Sequence, residues 1–193
     1  MTNVQEQLTA LVEEYRDRCL WFLRPDYMPS TPEETRQVLD LIERYGDLAT
    51  NKVLAMAGRL EVRDWVDAIS CDESLQPLGY LLWAACGKDP GYNPHSLLAS
   101  ARRLHYSQSE VDTLDFAMER PSAARLGARW HEVLGEAERV IAVLPPAHVG
   151  TCVLLSDRQL FRGDATVLAG SLKTEEVLFH EGRIGGAWPC MRG

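Results

Sequence analysis

The sequence predicts a mostly helical protein in which a helical body is followed by a small C-terminal α+β appendage. Three observations lead to this fold class. Apolar residues recur at helical spacing through most of the chain up to Leu144, and several of these segments begin with residues that cap helices. After Pro145 and Pro146 the pattern changes, because short β-branched and apolar runs replace the helical period.

Composition excludes several other classes of protein. The chain has 193 residues, of which 46% are hydrophobic, so it can bury a core without disulfides or a structural metal. Its five cysteines show no Cys-x-x-Cys or Cys-His ligand spacing, a pattern typical of reduced thiols. It contains neither a long apolar run nor a basic leader segment. We therefore expect a cytoplasmic protein with no membrane partner, no metal and no cofactor.

Two helices are expected in the N-terminal part. The first spans about residues 4–23, where apolar side chains fall on one helical face. The second spans about residues 31–46. Thr31 and Glu34 form its capping box, and Gly46 is its expected C-terminal stop.

Three further helices are expected before the middle of the chain. Asp47 is the expected cap of the third helix, whose apolar line runs from Ala49 to Leu60. A fourth, shorter helix covers about residues 62–69. Ser74 is the expected cap of the fifth, because Pro77 is tolerated only in the first turn of a helix.

The segment from Gly87 to Gly91 is the expected boundary between two parts of the chain, because it combines two glycines with Pro90. Residues 1–88 would form an acidic helical domain and residues 89–193 a second domain. The second would open with a helix capped by Asn93, followed by a short helix capped by Ser107.

The strongest periodic signal predicts a long helix over about residues 122–144. Apolar residues follow one face for about five turns, and two prolines end the pattern. Four residues of this stripe are expected to be nearly fully buried: Trp130, Leu134, Val140 and Ile141.

The α+β appendage is expected over about residues 150–190. Thr151–Leu155 and Gln159–Arg162 are typical of a hairpin, and Asp164 is placed to open a short helix. Val177–His180 should join the same sheet as a third strand, because a lone hairpin is only marginally stable.

Negative charge is concentrated in the first half of the chain. Residues 1–90 carry a net charge of -7 and residues 91–193 a net charge of -1, which together give the total of -8. The acidic half is either a solvated helical surface or a face that docks a protein with a basic surface. A nucleic-acid partner is not expected, since phosphate contacts need a net basic surface; a homo-oligomer is compatible with the sequence. The acidic residues expected to bind a partner are Glu33, Glu34, Asp40 and Glu43.

Trp21 and Tyr27 lie near the expected end of the first helix, where they are either core residues or an aromatic anchor for another protein. Residues 19–27 (CLWFLRPDY) and 41–47 (LIERYGD) together resemble small bacterial proteins encoded beside minimal nucleotidyltransferases in toxin-antitoxin or phage-defence neighbourhoods. Residues 144–150 (LPPAHVG) are similar to a second such group. The resemblance implies a nucleotidyltransferase as partner and carries no catalytic residues.

A different class of function rests on basic residues in the second half. Arg102, Arg103 and His105 are placed to bind a nucleotide or an RNA end, or to form a solvated face paired with carboxylates.

Arg125 and His131 resemble the R-x(4-6)-H pattern of the HEPN ribonucleases, and this resemblance implies an RNA-directed enzyme. The chain departs from that family at Leu126, where a polar residue commonly follows the arginine. Two residues six positions apart also lie on different faces of a helix.

The sequence therefore favours a non-enzymatic interaction or accessory module, antitoxin-like in its pairing with a nucleotidyltransferase. The alternative is an RNA- or nucleotide-directed enzyme that uses Arg102, Arg103, Arg125 and His131. Convergence of these polar side chains in one pocket would favour the alternative.

Overall fold

A computed structural model describes residues 45–116, 120–156 and 160–181. The first predicted helix, most of the second, and the expected partner-binding residues Trp21, Tyr27, Glu33, Glu34, Asp40 and Glu43 lie outside these residues. The described chain is mainly helical with a small sheet near its C-terminal end, which confirms the predicted fold class. None of its helices is long and apolar enough to cross a membrane.

The elements follow one another in this order: α1 (Tyr45–Arg59), α2 (Val62–Ser74), α3 (Leu78–Ala85), α4 (Pro94–Ala101), α5 (Gln108–Val111), α6 (Ala123–Val143), a 3-10 helix (Pro146–His148), β1 (Thr151–Leu155), α7 (Ala165–Lys173) and β2 (Val177–Glu181).

Helix α1 contains Gly46 and Asp47 and does not break at them. The prediction that Gly46 ends a helix and Asp47 caps the next is therefore wrong. Glycine costs only about 1 kcal/mol inside a helix, and the burial of Val53 and Met56 on the core face of α1 outweighs that cost. Leu60, expected on the same face, is 41% exposed and has a φ of +56°, so it follows α1 as the left-handed residue that ends the helix.

Helix α2 extends to Ser74, which makes Ser74 the last residue of α2 and not the predicted cap of α3. The first turn of α3 finds an acceptor elsewhere, because the amide of Leu78 donates to Oδ1 of Asp72 at 2.8 Å. Pro77 occupies the N-cap position. The carboxylate that satisfies α3 thus belongs to the preceding helix.

Helix α3 lies at the centre of the core, and all of its residues are buried. It packs so closely on α6 that a Cβ atom built on Gly79 would lie 2.7 Å from the Cβ of Val140. The hydrophobic core includes residues from both sides of the 87–91 loop. The division of the chain into domains at residues 88 and 89 stays a prediction.

The two predicted helix starts after that loop are confirmed. Asn93 accepts a hydrogen bond from the Ser96 amide at 2.9 Å, and Ser96 Oγ accepts one from the Asn93 amide, which completes a capping box. Ser107 and Glu110 form the same reciprocal pair at the start of α5. Both motifs satisfy backbone amides that the first helical turn leaves without partners.

The long predicted helix is confirmed as α6, which Ser122 caps by accepting from the Arg125 amide at 3.2 Å. Its apolar stripe faces the core. The four residues expected to be buried are between 0% and 9% exposed: Trp130, Leu134, Val140 and Ile141.

The predicted third strand is confirmed, because β2 pairs antiparallel with β1 and places Phe179 opposite Val153. Asp164 caps α7 as expected, accepting from the amides of Thr166 and Val167. Helix α7 connects the end of the β1 region to β2 and packs on α6.

In the described residues, the predicted hairpin is shorter than expected. The expected strand 159–162 is represented there by one bridge between Leu154 and Leu160. Gln76 gives the physical reason. Its Nε2 donates to the carbonyl oxygen of Phe161 at 2.9 Å, so a buried side-chain amide takes an acceptor that a longer strand ladder would use.

Candidate functional site

A cavity of about 640 Å³ lies between α6, the start of α2 and the segment that joins α4 to α5. Helix α6 supplies one wall through Ala124, Gly127 and His131, which follow one another at helical spacing. Trp65 of α2 contributes from the opposite side. The volume lies within the range of roughly 300 to 1,000 Å³ that is usual for small-molecule sites.

Three aromatic side chains form much of the wall. The rings of Trp65 and Tyr106 lie 5.3 Å apart between centroids and are tilted by 42°. Trp130 is 3% exposed, and its Nε1 donates to the carbonyl oxygen of Ala101 at 3.2 Å, which fixes the indole on α6. Trp65 and Trp130 are only 1% and 3% exposed, so Tyr106, which is partly exposed, is the ring with a surface for contact with a planar ligand.

The polar part of the wall combines basic side chains with the uncharged side chains of Tyr106, Ser107 and Gln108. Arg102, His105 and His131 all line the cavity, whereas none of the described lining residues carries a carboxylate. This distribution contrasts with the formal net charge of -8 for the chain. The lining itself is therefore suited to an anion, although Glu138 pairs with Arg102, and Glu110, Asp64 and Glu61 lie close enough to Tyr106 to add to the rise in its pKa that burial causes.

Arg102 also forms an ion pair with Glu138, with Nη2 and Oε2 2.7 Å apart. The two side chains are 48% and 60% exposed. An exposed pair of this kind contributes about 0 to 1 kcal/mol, so an anion in the cavity can compete with Glu138 for the guanidinium.

The N-terminal end of α6 reaches the same cavity through Ala123 and Ala124. The amide of Ala123 donates to Oε1 of Gln108 at 2.7 Å, and Ser122 caps the helix, so side chains of the cavity region fix this helix end. The first turn contains no acidic residue. The first-turn amides of α6 therefore add a positive partial charge at this end of the cavity.

Three buried polar atoms next to the cavity have no hydrogen-bond partner among the described residues: Asp64 Oδ2, Trp65 Nε1 and the Tyr106 hydroxyl. Burial raises the pKa of Tyr106 to about 12, and Glu110, Asp64 and Glu61 add to the shift by repelling the phenolate. An unsatisfied buried group costs about 1 to 3 kcal/mol. Within the described part of the chain, these three atoms therefore lack the hydrogen bonds that the polar groups at the helix caps have.

The structure separates the basic residues suggested by the sequence. Arg102, His105 and His131 meet at the cavity. Arg103 is exposed and donates to Ser100 Oγ at 3.2 Å, on a different side of the α4 end. Arg125 is exposed and lies outside the described wall, so the Arg125–His131 pair does not form one site.

Arg129, on the same helix, does not line the cavity and forms ion pairs with acidic residues instead. Its guanidinium contacts three carboxylates, those of Asp72 at 3.0 Å, Glu73 at 3.0 Å and Glu132 at 3.2 Å. Burial raises the pKa of Asp72, while its hydrogen bond from Leu78 and the charge of Arg129 act in the other direction. Arg129 thus ties α6 to α2.

Several wall residues carry no functional signal in the sequence. Trp65, Trp130 and Leu134 occupy ordinary core positions of amphipathic helices, which accounts for their apolar character. Gly127 and Gly135 both lie inside the most strongly periodic helix, where each glycine costs about 0.5 to 1 kcal/mol relative to alanine, so a helical glycine alone does not single out the wall position.

No group of three or more His, Cys, Asp or Glu side chains in the described part of the chain is arranged to hold a metal ion. No known protein family, curated protein or solved structure matches this chain.

Proposed function

We propose that the cavity binds a small anionic ligand with a planar ring, of which a nucleoside phosphate is the best-fitting class. The observation that carries this proposal is the composition of the wall: an arginine and two histidines stand beside aromatic rings, and no carboxylate is found among the described lining residues. Arginine binds phosphate through parallel hydrogen bonds, and aromatic faces stack on nucleobases.

Ligand titration by calorimetry tests the proposal directly. Guanosine and uridine monophosphates are the probes, and Arg102→Gln and His131→Gln are the test variants. Arg103→Gln and His95→Gln are matched controls, because both residues are exposed and lie outside the described wall. We expect each test variant to weaken binding about tenfold, which corresponds to about 1.4 kcal/mol, and the controls to bind as the wild type does.

Two results would contradict the proposal. One is the absence of binding by the wild-type protein to either nucleotide. The other is an equal loss of affinity in the test variants and in the Arg103 and His95 controls, since that would indicate a diffuse charge effect with no defined site.

Catalysis is a second candidate, favoured by the presence of two imidazoles in one wall. Histidine can accept or donate a proton near neutral pH, which suits acid-base chemistry on a phosphate ester. Incubation with a short RNA and with nucleoside triphosphates tests this alternative. Turnover should disappear in both His105→Gln and His131→Gln and persist in Arg125→Gln; an absence of turnover in the wild type leaves a binding protein.

The interaction role remains a separate proposal. It is supported by the net charge of -7 in residues 1–90 and by the resemblance in residues 19–27 and 41–47. In this proposal the chain is an antitoxin-like or accessory partner of a nucleotidyltransferase in the bacterial cytoplasm. A nucleotide cavity is compatible with such a partner, because the two proteins would share a ligand class.

A further inference from the structure

Gly127 leaves an open space in the cavity wall. It lies inside α6 and lines the cavity, and a Cβ atom built on it would meet no atom of the described residues within 4 Å. Because Gly127 lines the cavity, a side chain added there has room without displacing the described residues. The room above Gly127 is available to a ligand.

The position of Gly127 relative to Arg102 and His131 shows which part of the space an anion would fill. His131 follows Gly127 by one helical turn, or about 6 Å along α6. Arg102 contacts Glu138, which lies two turns beyond His131 on the same helix. An anion held by Arg102 and His131 would thus lie on the C-terminal side of Gly127.

The ring and the sugar of the ligand would then lie against the part of α6 that precedes His131. Ala124 and His131 are about 10 Å apart along the helix axis, which is long enough for a bicyclic ring and a sugar beside the anion. Tyr106 supplies aromatic surface to the cavity, whereas Trp130, three residues after Gly127, is 3% exposed and belongs mainly to the core. The dimensions favour a purine over a smaller ring.

We infer that the ligand is a purine nucleotide whose ring lies against Gly127, and that the absence of a side chain at this position sets the size of the ring that the cavity accepts. This inference rests on the proposed nucleotide-binding function. It adds a specificity-determining residue that makes no polar contact and that charge-based reasoning would not identify.

The test uses two substitutions at Gly127 and one matched control. Gly127→Ala narrows the cavity and Gly127→Leu fills it, whereas Gly135→Leu places the same side chain on the same helix outside the described wall. Among the described residues, a Cβ on Gly135 meets only the end of the Arg139 side chain, at 3.8 Å. Binding of guanosine and uridine monophosphates is measured by calorimetry, and folding by thermal melting.

We expect Gly127→Ala to weaken the guanosine nucleotide about tenfold, equivalent to about 1.4 kcal/mol, and the uridine nucleotide by much less. Gly127→Leu should abolish the binding of both while the melting temperature stays the same or rises. Gly135→Leu should bind both nucleotides as the wild type does. Retained folding separates blocked binding from structural damage.

The outcomes distinguish this inference from the proposed function. If the wild type binds nucleotides and Gly127→Leu binds them equally well, the ring lies elsewhere and the inference is wrong, although the cavity can still hold an anion. An equal loss of both nucleotides in Gly127→Ala would overturn the assignment of ring size. If the wild type binds neither nucleotide, the proposed function fails and this inference fails with it.

Discussion

Glu138 is the residue that most directly opposes a ligand in the cavity. Its carboxylate forms an exposed ion pair with the Arg102 guanidinium, at a distance of 2.7 Å. We predict that Glu138→Gln raises the affinity for nucleoside monophosphates about threefold to tenfold, because the phosphate no longer has to displace the Glu138 carboxylate from the guanidinium. Calorimetric titration measures this, and an unchanged or reduced affinity would show that Arg102 does not contact the ligand.

The Tyr106 hydroxyl is buried without a partner among the described residues, so its removal should not cost stability. We predict that Tyr106→Phe leaves the free energy of unfolding at pH 7 unchanged or raises it by about 1 kcal/mol. Chemical denaturation measures the change. A loss of 2 kcal/mol or more, on the scale of a broken buried hydrogen bond, would mean that the hydroxyl has a partner.

The same residue makes a prediction about alkaline stability. The folded protein holds the pKa of Tyr106 at about 12, above the ordinary value of 10.0, so folding favours the protonated phenol. Its contribution is complete below about pH 10 and is lost as the pH rises toward 12. Wild type should therefore lose more stability than Tyr106→Phe between pH 9 and pH 12, and parallel pH profiles would contradict the assignment.

Helices α3 and α6 pack against each other at Gly79, where there is no room for a side chain. A Cβ on Gly79 would lie 2.7 Å from Val140 Cβ and 3.0 Å from the Ala137 carbonyl oxygen. We predict that Gly79→Ala destabilises the protein by about 1 to 3 kcal/mol, because it forces the helices apart. Gly58→Ala is the control, since its Cβ meets no described atom within 4 Å and should be neutral or stabilising.

A double mutant checks the cause of that loss. Val140→Gly removes Cβ and Cγ1, the two side-chain atoms nearest to the new methyl group, so the combination Gly79→Ala/Val140→Gly should cost less than the sum of the single changes. Strict additivity would show that the two residues do not meet and that the loss has another origin.

Elements whose limits depend on local chemistry are predictable from sequence, and those whose limits depend on distant partners are not. Asn93 and Ser107 cap their helices with bonds that span three residues, so spacing alone identifies them. The start of α3 depends on Asp72, and the short strand near Leu160 depends on Gln76, 85 residues from the Phe161 carbonyl that it binds. No local pattern encodes such contacts.

In the complete fold, the candidate site too can be predicted from the sequence only in part. The sequence identifies Arg102, His105 and His131 as basic residues, but the cavity is completed by Trp65, from a helix placed against them by the core. Net charge does not predict the composition of the cavity wall either. The chain has a formal net charge of -8, yet none of the described lining residues carries a carboxylate. Convergence of this kind follows from tertiary packing alone.

The acidic N-terminal half carries a prediction about a macromolecular partner. Reversing Glu33, Glu34, Asp40 and Glu43 to lysine should slow association with a nucleotidyltransferase more than it speeds dissociation, because surface charges act mainly by steering. Association should also slow as salt rises above about 0.15 M. The control is Asp115→Lys/Glu176→Lys, which reverses exposed acids in the second half. Equal rates for both variants would contradict electrostatic docking through the N-terminal half.

Nucleotide binding at one defined cavity can be followed residue by residue through amide chemical shifts. The full-length ¹⁵N-labelled protein is titrated with guanosine monophosphate. We predict saturable shifts that are largest at Arg102, Tyr106, Gly127 and His131, around the cavity, while exposed residues far from it, such as Glu176 beside β2, stay unchanged. Shifts that do not saturate, or that are centred away from α6 and the 102–108 segment, would contradict nucleotide binding at this cavity.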